Sequence, residues 1–273
     1  MLGCHAEIQK CKSPLLPARM SPDSVVLEMF FVRYPFDDTT VNEKLWQEID
    51  EQQFATDLRE RLTQNGFRVG LVAGQMPTEL AKLLELNDKP AAPTEDLEGD
   101  VPQNLDEQPR VVRRHLQIRA NHTGEIIASG VYAQLPLLMS EAGQISGQTY
   151  NQAQGIFQVT SVPQPNGQVR LDLTPELHYD QPRQRWVGSH GMMRLETGRP
   201  KRRFDELALS AEVAPGAMLV LGSLPNRKGS LGDYFFTEND NGRAEQKLLI
   251  VRLSQTQHSG LFDPPQPLTL EEQ

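Results

Sequence analysis

Short apolar runs separated by turn-forming residues fill the chain from Val111 to His258. In the clearest of them, residues 168–173 (QVRLDL), polar and apolar residues alternate strictly. Because successive side chains of a strand point to opposite faces, strict alternation predicts a strand with one buried face and one solvated face. The pattern therefore predicts a mainly antiparallel β domain over residues 110–258.

Two pairs of such runs flank turn sequences, as the strands of a hairpin do. Residues 110–120 and 125–132 lie on either side of the sequence NHTG. Residues 157–162 and 168–173 lie on either side of PQPNG. Asn and Gly tolerate the left-handed backbone that tight turns need, so each pair predicts an antiparallel hairpin.

A third pair of runs precedes a closing strand. Alternating apolar residues over 207–213 lead to the turn Ala214-Pro215-Gly216, after which residues 218–221 are continuously apolar. The later run 247–253 (KLLIVRL) has the composition of a buried strand. We expect a third hairpin here, followed by a last strand that completes the domain.

The segment before this domain has a different pattern. Residues 24–34 are rich in Val and aromatics and predict a buried strand, and residues 67–73 predict a second one. Apolar residues spaced for one helical stripe lie between them, at Leu45, Ile49, Phe54, Leu58 and Leu62. A short helix is predicted after Pro77. Residues 24–87 thus predict a small β-α-β-α unit, and the whole chain an α+β protein.

An acidic stretch separates the two parts. Residues 87–109 hold seven acids and one base, a balance of −6 within the net charge of −9 that 27 basic and 36 acidic residues give the 273-residue chain. Four prolines and no apolar periodicity predict a solvated linker over 88–109. Residues 1–23 are predicted as a flexible tether and residues 259–273 as a disordered, Pro-rich tail.

The remaining composition bounds the partners. The negative net charge disfavours broad binding to nucleic acid or anionic lipid, so we expect no nucleic-acid partner. One group of basic residues lies near Trp186 in the sequence. It is interpreted either as the solvated face of a loop or as a local contact for an anion or nucleic acid. Its members are Arg183, Arg185, Arg199, Lys201, Arg202 and Arg203.

Cys4 gives the one indication of location. Met1-Leu2-Gly3-Cys4 resembles the end of a bacterial lipoprotein signal, in which cleavage at a Gly-Cys junction leaves a lipidated cysteine. If the true start lies upstream of Met1, Cys4 becomes an acylated anchor and the protein a cell-envelope or periplasmic one. A chance match of four residues is the alternative, and a cytoplasmic location then follows.

Catalytic motifs are incomplete throughout the sequence. No Gly-x-Ser-x-Gly elbow occurs, and in the loop-like stretch 222–230 (GSLPNRKGS) Arg227 and Pro225 break a phosphate-binding pattern. The six histidines form no close pair. Glu48, Asp50 and Glu51 lie opposite an apolar stripe and predict a solvated helix face. We therefore expect no catalytic residue, no metal and no cofactor.

Four segments resemble the core β-domain of the secretin family, ring-forming proteins of bacterial outer membranes. The match runs over about residues 155–255 and involves 167–176, 215–224, 231–236 and 247–253. Ser223 stands where the family has a second glycine, and no alternating lipid-facing hairpin is evident. The resemblance implies a secretin-like fold that does not itself form a pore.

Two hypotheses about function follow. The first is a non-catalytic envelope protein that binds other envelope proteins, by adding a strand at an exposed sheet edge, with an undetermined oligomeric state. The second is a module that binds a small ligand or polysaccharide in a cleft between the two parts, lined by Trp46, Tyr179 and Trp186. An enzyme of unrecognised type would instead need carboxylates or histidines that converge in such a cleft.

Overall fold

The computed structural model describes residues 24–36, 38–85, 110–141, 143–189, 192–240 and 242–257. Antiparallel strands with a few short helices make up these residues, which confirms the predicted α+β class. The strands are β1 (Ser24–Pro35), β2 (Phe67–Val72), β3 (Val111–Arg119), β4 (Thr123–Glu141), β5 (Gln144–Pro163), β6 (Val169–His178), β7 (Arg183–Ser189), β8 (Met192–Gly198), β9 (Lys201–Arg203), β10 (Leu209–Val213), β11 (Met218–Ser223), β12 (Thr237–Asp240) and β13 (Arg243–Gln257). The helices are α1 (Thr56–Gln64), α2 (Thr78–Glu85) and α3 (Leu231–Phe236), with a π-helical turn at Thr40–Leu45 and a 3-10 turn at Asp205–Leu207.

A six-stranded sheet combines both ends of the chain. Its order is β2-β11-β13-β1-β3, and β12 pairs with the first four residues of β13. Strands β1 and β2, which were predicted to belong to a separate unit over 24–87, thus pair with strands of 110–258. The division at the linker is corrected accordingly: the linker does not separate the sheets, because β1 needs β13 and β3 to satisfy its backbone.

The six-stranded sheet is covered on both faces. Leu219, Leu249 and Val251 belong to one buried cluster with the five-stranded sheet, α1 and α3. Val220, Leu248 and other residues of the opposite face pack with the π-helical turn and α2. Burial on both faces explains why residues 218–221 of β11 and 248–251 of β13 are continuously apolar, whereas β10 alternates.

The five-stranded sheet has the order β10-β6-β5-β4, with β9 beside β6. It confirms the second predicted hairpin, because β5 and β6 pair antiparallel across the 163–167 turn. Strands β4 and β5 continue beyond the predicted runs and form a hairpin of 19 and 20 residues. Among the described strands, β7 and β8 pair only with each other.

Two predicted hairpins are wrong. Strand β3 pairs with β1, while β4 pairs with β5, so the turn after β3 carries the chain from one sheet to the other. Strands β10 and β11 likewise lie in different sheets, and the turn with Gly216 at φ +87° joins them. Both turns have the predicted chemistry, but a turn sequence does not determine whether the flanking strands pair with each other.

The predicted helix over the stripe from Leu45 to Leu62 is also corrected. The π-helical turn ends at Leu45, and α1 begins at Thr56. Between them Asp50 exchanges two backbone hydrogen bonds of 2.9 Å with Leu71 of β2. That pairing needs an extended backbone and therefore interrupts the helix. None of the helices among the described residues is long and apolar enough to cross a membrane.

Candidate functional site

A groove of about 380 Å³ opens between the two sheets at the β3 side. Its volume falls in the range of about 300–1,000 Å³ that is typical of ligand pockets. The lining residues come from five strands: Phe31, Arg33, Val112, Arg114, Ile127, Ala128, Ser129, Gly130, Glu238 and Lys247. We call it the inter-sheet groove.

One wall of the groove is a bulge in β4. The pairing with β5 shifts between Ile127 and Val131, so that three residues of β4 face the single residue Gly155. The Ser129 hydroxyl accepts a hydrogen bond from the Gly155 amide at 2.8 Å and donates to the Gly130 carbonyl at 2.9 Å. The bulge interrupts the ladder between β4 and β5 at residues 128–130, and these residues line the groove.

An ion pair between a buried lysine and a partly exposed glutamate contacts this wall. Lys247, which is 6% exposed, donates through Nζ to the Ala128 carbonyl at 2.9 Å and to the Glu238 carboxylate. Burial lowers the pKa of Lys247, and the hydrogen bond to Glu238 offsets only part of that effect. Arg33 lies 3.7 Å from the same carboxylate. The Glu238 carboxylate thus lies within ion-pair distance of both Lys247 and Arg33.

The pKa of Glu238 lies below its ordinary value. Burial alone would raise this pKa, but the Lys247 ammonium, Arg33 and the Gly130 amide together outweigh burial. The carboxylate is therefore ionised at neutral pH and occupied by groups of the protein itself.

The floor of the groove is apolar and ends at a cation. Phe31 and Val112 lie opposite each other in the register of β1 and β3. The Arg114 guanidinium carbon lies 5.6 Å from the centre of the Phe31 ring, within cation–π distance. Among the described residues, no acidic side chain lies within ion-pair distance of Arg114. The groove therefore holds three cations and one carboxylate.

Strand β3 borders the groove, and among the described residues its outer edge has no neighbouring strand beside Arg113, His115 and Gln117. The Arg33 amide donates to the Arg110 carbonyl at 2.7 Å, which makes this a hydrogen-bonded pair of the antiparallel ladder. Because such pairs alternate, the backbone of Arg113, His115 and Gln117 points away from β1. Within the described ranges these three residues have no backbone hydrogen-bond partner on that side.

The opposite end of β4 has a covered edge instead. The Ser140 amide donates to Asn65 Oδ1 at 2.9 Å, and Asn65 Nδ2 donates to the Ser140 carbonyl at 3.0 Å. The Leu138 amide donates to the Gly229 carbonyl at 2.8 Å. A side-chain amide thus replaces a neighbouring strand at β4, whereas the described residues supply no such cover for β3.

The other face of β3 has its charges paired. Glu28 is 1% exposed and forms ion pairs with Arg113 and Arg252, and His115 Nε2 lies 3.6 Å from its carboxylate. Arg113 and His115 are therefore committed to a residue of β1. Arg114, which points to the groove, is not.

The three aromatic residues predicted to line a cleft lie in different parts of the fold. Trp46 is buried in the cluster with the π-helical turn, under the Arg68 guanidinium. Tyr179 packs against the other cluster, with its ring 5.0 Å from that of Tyr150. Trp186 is 65% exposed on the β7–β8 hairpin, opposite Leu195. Cys4 lies outside the described residues.

The residues of the groove were not singled out from the sequence. The run Val111-Val112-Arg113-Arg114-His115 is the one local signal, since it places two arginines and a histidine in a strand. Lys247 reaches the groove through the pairing of β13 with β1, where it lies opposite Arg33, and Glu238 reaches it through the pairing of β12 with β13. In the part of the chain that the structure describes, no group of three His, Cys, Asp or Glu residues is arranged to hold a metal.

Comparisons with known proteins give weak similarity only. No family model matches the chain, and no curated protein does. A secretin-domain β-barrel structure, InvG of the Salmonella SPI-1 injectisome, is 14% identical with a TM-score of 0.24, covering 86% of this chain and 61% of that one. The Vibrio cholerae competence pilus secretin PilQ is 11% identical with a TM-score of 0.21, covering 84% of this chain and 59% of that one. The chain thus spans about 60% of the length of either structure, and scores this low show neither a family nor a function.

Proposed function

We propose that this chain is a protein-interaction protein that binds an extended segment of its partner as an additional strand on β3. The observation that carries the proposal is the open edge of β3, where the backbone groups of Arg113, His115 and Gln117 lack partners among the described residues. Strand addition satisfies such groups with the main chain of the ligand.

The difference between the edges supports this proposal. Proteins generally block sheet edges, because unpaired strands associate with other chains. Here Asn65 blocks the end of β4 and Asp50 pairs with Leu71 on the outer side of β2. The outer edge of β3 lies beside a groove with room for side chains. A strand that adds to this edge could place its side chains in that groove.

The groove also supplies a means of selection. In an added strand, alternate side chains would lie beside Val112 and Arg114 and enter the inter-sheet groove. Main-chain hydrogen bonds would provide affinity for any extended segment, and the groove would select the side chains. A chain of this kind needs no cofactor and no catalytic group.

The proposal is tested with a pair of substitutions at His115. Proline at this position removes an amide that points away from β1, so the ladder to β1 loses no hydrogen bond. Peptides selected on the wild-type protein from a random library should lose binding to His115→Pro and keep it with His115→Ala. Circular dichroism should first show that both variants are folded. Equal binding of the selected peptides to the two variants would then contradict strand addition.

Two further expectations accompany this proposal and stay predictions. The resemblance of residues 155–255 to the secretin core supports an envelope location, with Cys4 as the lipid anchor if the start lies upstream of Met1. The hypothesis that the chain forms no pore and catalyses no reaction accompanies the envelope location. The geometry of the groove supports neither the location nor this hypothesis.

A further inference from the structure

We infer that the inter-sheet groove recognises a carboxylate side chain, a glutamate above all, on the partner segment that adds to β3. This inference rests on the proposed strand addition and specifies the ligand chemistry of the same site. It follows from the distribution of charge in the groove, from the apolar floor and from the difference between the two faces of β3.

The described side chains give the groove a net positive charge, from Arg33, Arg114 and Lys247 against Glu238. Arg33 and Lys247 share the Glu238 carboxylate, and Lys247 also donates to the Ala128 carbonyl. Arg114 lines the same groove and has no acidic neighbour among the described residues. One added carboxylate beside Arg114 would bring the groove closer to neutrality, whereas an added cation would meet three others.

The floor fits the stem of a glutamate. Phe31 and Val112 form an apolar surface between the neighbourhood of Arg33 and that of Arg114. A side chain that enters beside Val112 can lay its methylene groups on this surface and extend its carboxylate to Arg114. The Arg114 guanidinium lies over the Phe31 ring of this floor. A planar guanidinium can bind a carboxylate through two parallel hydrogen bonds.

The distribution of charge also favours binding of the glutamate on the groove face of β3 rather than on its opposite face. On that opposite face Glu28 already neutralises Arg113 and lies beside His115 and Arg252. An acidic ligand residue there would compete with a buried carboxylate of the protein. The ligand face that carries glutamate is therefore the one that points to Arg114.

The test uses the full chain and two capped peptides, Thr-Val-Glu-Val-Glu-Val-Thr and its counterpart with Gln in place of Glu. We expect the Glu peptide to bind the wild type at least about threefold more tightly than the Gln peptide. Arg114→Gln should abolish this preference. Arg119→Gln, which removes an exposed arginine of the same strand and the same charge, should retain it.

The outcomes separate this inference from the proposed function. If both peptides bind equally and both protect the amides of β3 from exchange, strand addition stands and the carboxylate pocket is overturned. If neither peptide protects those amides, both are overturned. Arg114→Lys provides a further measurement: it keeps the charge but lacks the planar fork, and we expect it to lose at least half of the preference for Glu.

Discussion

The Nζ atom of Lys247 lies 2.9 Å from the carbonyl oxygen of Ala128, and this hydrogen bond joins β13 of one sheet to the bulge of β4 in the other. The same ammonium binds Glu238 of β12. A single buried cation thus fixes the distance between the wall and the base of the inter-sheet groove.

Replacing Glu238 by Gln should therefore destabilise the protein. The change leaves a buried ammonium with a carbonyl and a neutral amide, and we expect a loss of about 2 kcal/mol in the free energy of unfolding. The double variant Lys247→Met/Glu238→Gln should lose less than the sum of the single variants. Urea denaturation measures all three. Glu245→Gln, at the cross-strand neighbour of Glu238, is the control, and an equal loss in that variant would argue against a specific pair.

The stability should also depend on pH through Glu238. Its folded-state pKa lies below the ordinary value of 4.5, so the unfolded chain takes up the proton first. The stabilisation by this carboxylate is complete above about pH 4.5 and is lost as the pH falls through the lower folded-state pKa. Denaturation midpoints of the wild type and of Glu238→Gln should converge over that interval. A difference that stays constant would contradict the assignment.

Removing the cover of the β4 edge should produce self-association. Asn65→Ala deletes both hydrogen bonds to Ser140 and leaves its backbone groups open, with an expected loss of about 2 kcal/mol. Sedimentation should then show stronger concentration-dependent association than the wild type does. Gln64→Ala is the matched control, because Gln64 contacts only the Ser140 hydroxyl, at 3.3 Å. Association of both variants would show that Asn65 is not the cover.

Two glycines of β5 provide a test of the packing between the sheet and α3. A Cβ atom at Gly155 would lie 2.7 Å from the Phe235 ring, whereas one at Gly147 would lie 3.6 Å from Leu138. We expect Gly155→Ala to cost about 2 kcal/mol, as overpacking of a core does, and Gly147→Ala to cost little. Thermal denaturation compares the two. Similar melting temperatures of the two variants would contradict the close packing of the Phe235 ring against Gly155.

The sequence predicts strands better than it predicts their partners. Alternation identified β6 and β10 correctly, since it reports burial on one face. It did not reveal that the turns after β3 and β10 cross between sheets, because pairing depends on segments far along the chain. Asp50 likewise broke a regular helical stripe by pairing with Leu71, a residue 21 positions away.

The candidate site was beyond the sequence for a related reason. Arg33, Arg114, Glu238 and Lys247 come from four strands, and no local spacing connects them. The sequence instead suggested aromatic residues as the lining of a cleft, because tryptophan and tyrosine are rare in this chain. Trp46 and Tyr179, however, pack in separate clusters. Long-range register, rather than residue type, brings the groove together.

The central claim, strand addition to β3, is tested most directly by amide hydrogen exchange of the full chain with and without the capped Glu peptide. We expect slower exchange at Arg113, His115 and Gln117, whose amides point away from β1. Exchange should change little at Val112 and Arg114, whose amides already bond to β1. Saturating peptide that leaves the exchange of Arg113, His115 and Gln117 unchanged would contradict the claim.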